Sequence, residues 1–238
     1  MKTQYVGKTK DVLVNEDTGD VCLLFKDDAT GENGVFDPGA NVVGGSVEGK
    51  GKTGLKVSRY FFELMERSGV PTHYLGADID KGVMHVRKLT IPALEFVLRY
   101  ETAGSMCRRF TLDSGIPFDP PYTEVTLKDD GQGDPLISER LCIMKGLLSE
   151  GQYDNALDVL IKVGEILKKE LAEMELALID FKIELGYDAA GKVYVVDEIT
   201  PDIWRARDKN GKVPNQIDCA RLILERINRK NPKTDADK

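Results

Sequence analysis

The sequence predicts an α+β protein built as two lobes with a cleft between them. Short alternating segments separated by glycine-rich turns fill the first half, which is the pattern of an antiparallel sheet. The second half carries two long stretches with apolar residues at helical spacing. The chain has 238 residues, and one core normally serves about 100 to 200. We place the break near residues 89–92, giving lobes 1–89 and 90–238.

Six strands are predicted in the first half, at residues 2–6, 11–14, 21–25, 72–75, 83–89 and 96–100. One helix interrupts them, marked by apolar residues at i, i+3, i+4, i+7 and i+8, namely Val57, Tyr60, Phe61, Leu64 and Met65. Gly69 and Pro71 end this helix. Its apolar face is expected to pack on the sheet.

The second half is predicted to be more helical. A long amphipathic helix starting near residue 154 is marked by Ala156, Leu160, Val163, Leu167, Leu171 and Met174. A later helix is marked by Ile217, Ala220, Leu224 and Ile227. A hairpin is expected between them, and the polar tail 230–238 is expected to be disordered.

Composition excludes several classes of function. No stretch approaches the ~20 apolar residues of a membrane span, and residues 1–10 lack the apolar core of a secretion signal, so we expect a cytoplasmic protein without a membrane partner. The net charge of −7, from 33 basic and 40 acidic residues, argues against nucleic-acid binding. An anionic substrate would instead need a local basic pocket.

Cysteine and histidine patterns give no metal or nucleophile motif. The four cysteines are far apart, without a CxxC pair: Cys22, Cys107, Cys142 and Cys219. They are expected to be reduced thiols. His73 and His85 lie in strand-like segments, and we expect structural roles for both.

The segment 178–202, LIDFKIELGYDAAGKVYVVDEITPD, carries the strongest chemical signal. Alternation places Asp180, Lys182 and Glu184 on one face of a strand, and the returning strand ends at Asp197. Glu184 and Asp197 can then lie across from each other, with about 5 Å between β-carbons, which suits two oxygen ligands of one Mg²⁺. Lys182 would stand beside the metal as a phosphate contact. A solvated hairpin face is the alternative.

Three further segments bear on an anion site. In VGKTKD, Gly7 would let backbone amides approach phosphate, and Lys8 and Lys10 project on one side. In RYETAGS, Arg99 and Ser105 bring a guanidinium and a hydroxyl to one loop. The loop 128–136, KDDGQGDPL, is charged and contains glycine, although a surface turn would look the same.

One apparent motif is rejected. Residues 49–54, GKGKTG, satisfy GxGxxG, but a P-loop needs a glycine where Ser46 stands, and no strong strand precedes the segment. A dinucleotide site would also require a βαβ unit, which the surrounding pattern does not show.

Taken in order, these segments resemble the SAICAR synthetase family of purine biosynthesis. The matching stretches are GKTKD at Gly7, FKDDATGENG at Phe25, EGKGK at Glu48, GVPTHY at Gly69, TAGS with RR at 102–109, KDDGQGDPLI at Lys128, IDFKIELG at Ile179 and VDEITPD at Val196. The similarity spans nearly the whole chain.

The resemblance implies a two-lobed SAICAR synthetase-like fold, an antiparallel N-terminal lobe and a mixed C-terminal lobe, with ATP in the cleft. It implies that a carboxylate of carboxyaminoimidazole ribonucleotide is phosphorylated and that L-aspartate then displaces phosphate. The implied nucleotide contacts are Gly7, Lys8, Lys10 and Lys128, and the implied Mg²⁺ ligands are Glu184 and Asp197. The implied ribonucleotide contacts are Arg99, Ser105 and Arg205, and the implied catalytic residues are Lys182, Asp197 and Arg205. A homodimer is a further possibility.

Departures from the family pattern cluster near the expected acid substrate. Gly54 and Leu55 stand where the family usually has two asparagines, and Tyr100 replaces another. Ala206 and Arg207 replace a Leu-Trp pair, and basic residues expected in the following segment, KVPNQIDCAR here, are missing or displaced. We expect SAICAR synthesis. The alternatives are a paralogous acyl-phosphate ligase with another acid or amine, and a nucleotide-binding regulator without turnover, against which the retained lysines and carboxylates argue.

Overall fold

The computed structural model describes residues 1–32, 35–36 and 42–230. Strands of the N-terminal half are β1 (Lys2–Val6), β2 (Lys10–Val14), β3 (Val21–Phe25), β4 (Asp28–Glu32), β5 (Val35–Phe36), β6 (Val43–Ser46), β7 (Tyr74–Asp78) and β8 (Val83–Val86), with helix α1 at Lys50–Arg67. Strands of the C-terminal half are β9 (Leu94–Glu101), β10 (Pro117–Leu127), β11 (Leu176–Tyr187), β12 (Val193–Val196) and β13 (Trp204–Asp208). Its helices are α2 (Ser105–Phe110), α3 (Glu139–Met144), α4 (Gln152–Ala172) and α5 (Gln216–Lys230).

The first large sheet is antiparallel, with the strand order β1-β2-β3-β8-β7. Helix α1 lies against β3 and β7 and also contacts α5. Leu55, Phe61, Phe62 and Met65 on its apolar face are fully buried. A small antiparallel sheet, β5-β4-β6, lies beside it.

The second large sheet has the order β10-β9-β11-β12, and β13 also pairs with β11. Strand β11 is therefore central, with β9 on one side and β13 on the other over residues 180–181. Helix α4 covers this sheet so closely that a β-carbon at Gly164 would overlap the side chain of Leu98. Apolar residues of both halves form one continuous core.

The predicted α+β class is confirmed, and a helix is present at each of the three predicted positions, although α1 begins at Lys50, well before its first predicted marker, Val57. The strand predicted at 72–75 was misplaced, because Thr72 bridges to Val195 and β7 begins only at Tyr74. The sequence analysis missed β4 to β6, β10, β13, α2 and α3. Within the described part of the chain, no helix is long and apolar enough to cross a membrane. Disorder was expected for residues 230–238, and residues 231–238 of this tail lie outside the described part of the chain.

Candidate active site

The larger of two neighbouring cavities has a volume of about 540 Å³. One wall is apolar and comes from β2, β3 and β8, through Val12, Val14, Val21, Leu23 and Val86. The opposite end is charged, through Lys8, Lys10, Lys128, Glu184 and Asp197. An apolar wall facing a charged end suits a nucleotide, whose base is flat and weakly polar and whose phosphates are anionic.

The turn after β1 shapes the charged end. The Gly7 amide donates to the Lys10 carbonyl at 2.9 Å, and a β-carbon on Gly7 would overlap that carbonyl. Lys8 lies near the surface and its Nζ is 2.8 Å from an Asp130 carboxylate oxygen. Lys10 is buried, with its Nζ 3.3 Å from Asp197 Oδ1 and also ion-paired with Glu198.

Both lysines therefore line the cavity, as the sequence predicted, but their surroundings differ. Burial by itself would lower the pKa of Lys10, yet the charges of Asp197 and Glu198 outweigh it and raise that pKa above its usual value. Lys10 is thus a permanent cation at the floor of the cavity.

Glu184 and Asp197 lie at the same end of the cavity. Glu184 on β11 is opposite Val196 in register and not, as the sequence analysis expected, opposite Asp197, because β12 ends at Val196 and Asp197 follows directly after it. Burial raises the pKa of Glu184, and the neighbouring charge of Asp197 raises it further, while its ion-pair partner Lys128 lowers it. Two mutually repelling carboxylates at one cavity end are a donor set that a hard cation such as Mg²⁺ would stabilise.

Among the described residues, no group of three or more His, Cys, Asp or Glu side chains is arranged to hold a metal ion. Mg²⁺ needs six oxygen ligands and usually retains several waters beside one or two carboxylates and substrate phosphates. Glu184 and Asp197 fit that pattern of binding.

Asp197 has a backbone φ of 66°, in the left-handed region that non-glycine residues adopt rarely. Neighbouring hydrogen bonds fix this backbone: the His73 amide donates to the Val195 carbonyl at 2.9 Å and the Ile199 amide to Ser58 Oγ at 3.0 Å. Burial lowers the pKa of His73 to about 3, so its ring is neutral. His73 lines the cavity.

A second cavity of about 260 Å³ adjoins the first. Its arginines come from β9, α2 and β13, namely Arg99, Arg108, Arg109 and Arg205, with Ser105 at the start of α2. Glu95, Lys182 and Ile203 line both cavities. Lys182 Nζ is 2.7 Å from Glu95 Oε1, so the cation at the shared wall is held in place by a carboxylate.

The structure brings the predicted Arg99, Ser105 and Arg205 to one cavity, but Arg99 differs from the expectation of an open anion donor. Arg99 is only 3% exposed. Its Nε is 2.8 Å from Glu124, and its Nη1 donates to Asp180 and to the Ala103 carbonyl.

Sequence reasoning missed the site role of Arg108 and Arg109. They lie three and four residues after Ser105, so one turn of α2 carries all three to the cavity. That helical spacing was the available signal, but α2 was not predicted. Arg109 Nη1 donates to Ser105 Oγ at 3.1 Å.

The rejected GxGxxG segment has a structural explanation. The amides of Gly49 and Gly51, at the start of α1, donate to the Asp27 carboxylate at 3.1 and 2.9 Å. A side-chain carboxylate thus occupies these donors, where a P-loop would place a phosphate.

A family model described as SAICAR synthetase matches residues 3–233. The chain belongs to the SAICAR synthetase family. The phosphoribosylaminoimidazole-succinocarboxamide synthase of Clostridium tetani is 41% identical over 230 residues, covering 94% of this chain and 100% of that protein. Agreement along both full lengths confirms the resemblance inferred from the motifs.

Solved structures give the same family. A SAICAR synthetase in complex with ADP matches with a TM-score of 0.83 and 31% identity, covering 97% of this chain and 99% of its own. The phosphoribosylaminoimidazole-succinocarboxamide synthase of Ehrlichia chaffeensis matches with a TM-score of 0.85 and 25% identity, covering 95% and 98%. The two-lobed SAICAR synthetase fold is therefore the fold of this chain.

Proposed function

We propose that this chain is an ATP-dependent ligase that joins carboxyaminoimidazole ribonucleotide to L-aspartate through an acyl phosphate. The observation that carries the proposal is one face of β11, where Asp180 lines the smaller cavity, Lys182 lines both, and Glu184 lines the larger. The larger cavity, which suits a nucleotide, and the smaller, arginine-lined cavity therefore meet at Lys182. Transfer of a phosphoryl group between two bound substrates requires such a shared point.

The larger cavity is proposed to hold ATP. Its apolar wall suits the base, while Gly7, Lys8, Lys10 and Lys128 surround the phosphates. A solved family member carries ADP, which supports nucleotide use by this chain. Phosphoryl transfer depends chiefly on alignment and charge neutralisation, and the lysines supply both.

Glu184 and Asp197 are proposed to bind Mg²⁺. When bound, the ion would neutralise phosphate charge and orient the phosphate oxygens. Lys128, now ion-paired with Glu184, lies close enough to contact phosphate at the same end of the cavity. The ion pair with Lys10 fixes the orientation of the Asp197 carboxylate independently of the metal.

The smaller cavity is proposed to hold the ribonucleotide, with Ser105 and Arg205 as contacts and Arg99 behind them. Guanidinium forks match phosphate geometry, and the cavity supplies the local basic site that an acidic chain needs for an anionic substrate. Lys182, at the shared wall, would face the carboxylate that receives the phosphoryl group. Its charge would offset the negative charge that develops there.

The lobe assignment is also a proposal. Residues 1–89 would form the nucleotide-binding lobe, since β2, β3 and β8 supply the apolar wall. Residues 90–238 would carry the metal and substrate site, since β9, α2, β11 and β13 supply the arginines and Glu184. Assembly as a homodimer remains a prediction, which light scattering of the purified protein tests.

A phosphate-release assay tests the function. ATP, Mg²⁺ and carboxyaminoimidazole ribonucleotide are supplied with a panel of amino acids, and we expect phosphate release to require the ribonucleotide and to be fastest with L-aspartate. Lys182→Met should abolish release. Lys192→Met, on the same hairpin but exposed and outside both cavities, should leave it unchanged.

The assay also separates the alternatives. Preference for another amine or acid would favour the paralogous ligase, although every relative named above is a SAICAR synthase. Absence of phosphate release with every pair of substrates would overturn the proposed activity.

A further inference from the structure

The arginines of the smaller cavity are linked by two buried carboxylates. Asp180 on β11 is 2% exposed and Glu124 on β10 is 4% exposed. Asp180 is ion-paired with both Arg205 and Arg99, and Glu124 is ion-paired with both Arg99 and Arg109. The three buried members of this network, Asp180, Arg99 and Glu124, carry a net charge of −1, and its two partly exposed ends are guanidiniums that line the cavity and make the whole network positive.

The order of the strands explains how one carboxylate serves two arginines. In register, Asp180 lies opposite Arg99 of β9 on one side and opposite Arg205 of β13 on the other. Arg205 donates to it through Nε at 3.0 Å and Nη2 at 2.9 Å. This two-point contact fixes the plane of the Arg205 guanidinium and not merely its position.

The backbone of Gly104 also packs against the Arg205 guanidinium. Its φ is 58° and it precedes α2. A β-carbon there would overlap the guanidinium of Arg205, whose Cζ would lie 2.7 Å away. Arg205 is therefore held between a carboxylate and bare backbone, which only glycine allows at this position.

We propose that Asp180 is a positioning residue, supported by Gly104, that aims the Arg205 guanidinium at the phosphate of an anionic substrate in the smaller cavity. The inference rests on the proposed function for the identity of that substrate. A long arginine side chain loses rotamer freedom when it binds a ligand, and fixing it beforehand removes that cost from binding. Asp180 acts through Arg205, because both of its carboxylate oxygens already accept hydrogen bonds from arginines.

A control is available on the same strand, β13. Arg207, two residues beyond Arg205 on β13, is also held by a carboxylate fork, from Glu101. Arg207 is not among the described residues that line either cavity. Asp180→Asn and Glu101→Gln each remove the charge of a carboxylate that holds an arginine of β13, and only Arg205 of these two arginines lines the cavity. Asp180 differs in also pairing with Arg99.

The experiment measures KM for the ribonucleotide and for ATP in both variants. Asp180→Asn should raise KM for the ribonucleotide roughly tenfold or more, as expected when an anion contact is disordered, while KM for ATP changes by less than about twofold. Glu101→Gln should change neither. Equal losses for both substrates in Asp180→Asn would mean a general structural role and overturn the proposal.

A second measurement guards against misfolding. In an Arg205→Lys background, Asp180→Asn should add little further loss, because the residue acts through that arginine, whereas additive losses would contradict the proposal. If Asp180→Asn does not fold, Gly104→Ala decides, and an unchanged ribonucleotide KM in that variant would refute the positioning role.

Binding of ribose 5-phosphate, followed by calorimetry, separates this inference from the proposed function. Weaker binding by Asp180→Asn than by wild type supports the positioning role even if the wild type does not make product. Equal binding overturns it while leaving the function intact. A wild type that neither makes product nor binds ribose 5-phosphate overturns both.

Discussion

Replacing Lys10 by methionine tests two expected roles of this lysine, one in the stability of the fold and one in nucleotide binding. Its partner Glu198 is 5% exposed, so the variant leaves a carboxylate buried without its cation. Breaking a buried pair in this way costs about 3 to 5 kcal/mol of unfolding free energy. Domains have only about 5 to 15 kcal/mol in total, so urea unfolding will resolve the change.

Loss of a charged hydrogen bond should also weaken nucleotide binding by about 1 to 3 kcal/mol, or roughly five- to 150-fold in Kd. Titration calorimetry with ADP and Mg²⁺ measures this effect. Lys8→Met is the matched control, because Lys8 lines the same cavity but pairs with Asp130 near the surface. We expect a similar loss of ADP affinity with a stability change of at most about 1 kcal/mol.

A double variant completes the test. In the double variant Lys10→Met with Glu198→Gln, the buried carboxylate that has lost its partner is also neutralised. This variant should recover part of the stability but none of the ADP affinity. The reasoning fails if Lys10→Met unfolds at the same urea concentration as Lys8→Met. It fails equally if both variants bind ADP like the wild type, since neither lysine would then contact phosphate.

Three other perturbations have defined outcomes. Asp197→Asn should remove most turnover and cost less stability than Lys10→Met, because Glu198 still pairs with the lysine, and near-normal activity at limiting Mg²⁺ would refute its role as a ligand. Arg205→Lys keeps the charge but loses the fork, so KM for the ribonucleotide should rise while ATP kinetics stay nearly constant; unaltered ribonucleotide kinetics would place the pocket elsewhere. Burial raises the pKa of Cys219 from 9.0 to about 11, so its ionisation favours unfolding above pH 9, and the stability of wild type relative to Cys219→Ala should fall by about 1 kcal/mol between pH 8 and pH 10.

The elements predicted correctly are those whose side chains repeat with a clear period. Helices α1, α4 and α5 have continuous apolar faces, and β11 alternates apolar and charged residues from Ile179 to Leu185. Strand β10 was missed because prolines at its start, such as Pro117 and Pro120, indicate a loop. Strand β13 reads WRARD, and its partly exposed arginines hide a strand whose Trp204 and Ala206 are buried.

The candidate site, too, was predicted only where the signal lies within one short stretch of sequence. Alternation alone placed Asp180, Lys182 and Glu184 on one face. It could not show that Asp180 pairs with Arg99 and Arg205, because those contacts depend on β9 and β13 flanking β11. Strand order is set by the packing of the whole sheet, and residues about 25 and 80 positions apart carry no local sign of being neighbours.

The alternation of β11 also limits how this protein can change during evolution. Residues 180 and 184 are about 13 Å apart along a strand that rises about 3.3 Å per residue, and this interval separates the carboxylate that β11 gives to the smaller cavity from the one that it gives to the larger cavity. Deletion of a single residue between them would turn one of the two side chains to the opposite, apolar face. Length variation is consequently expected in the turn 188–192 that follows β11, whereas the strand itself should tolerate substitutions but not insertions or deletions.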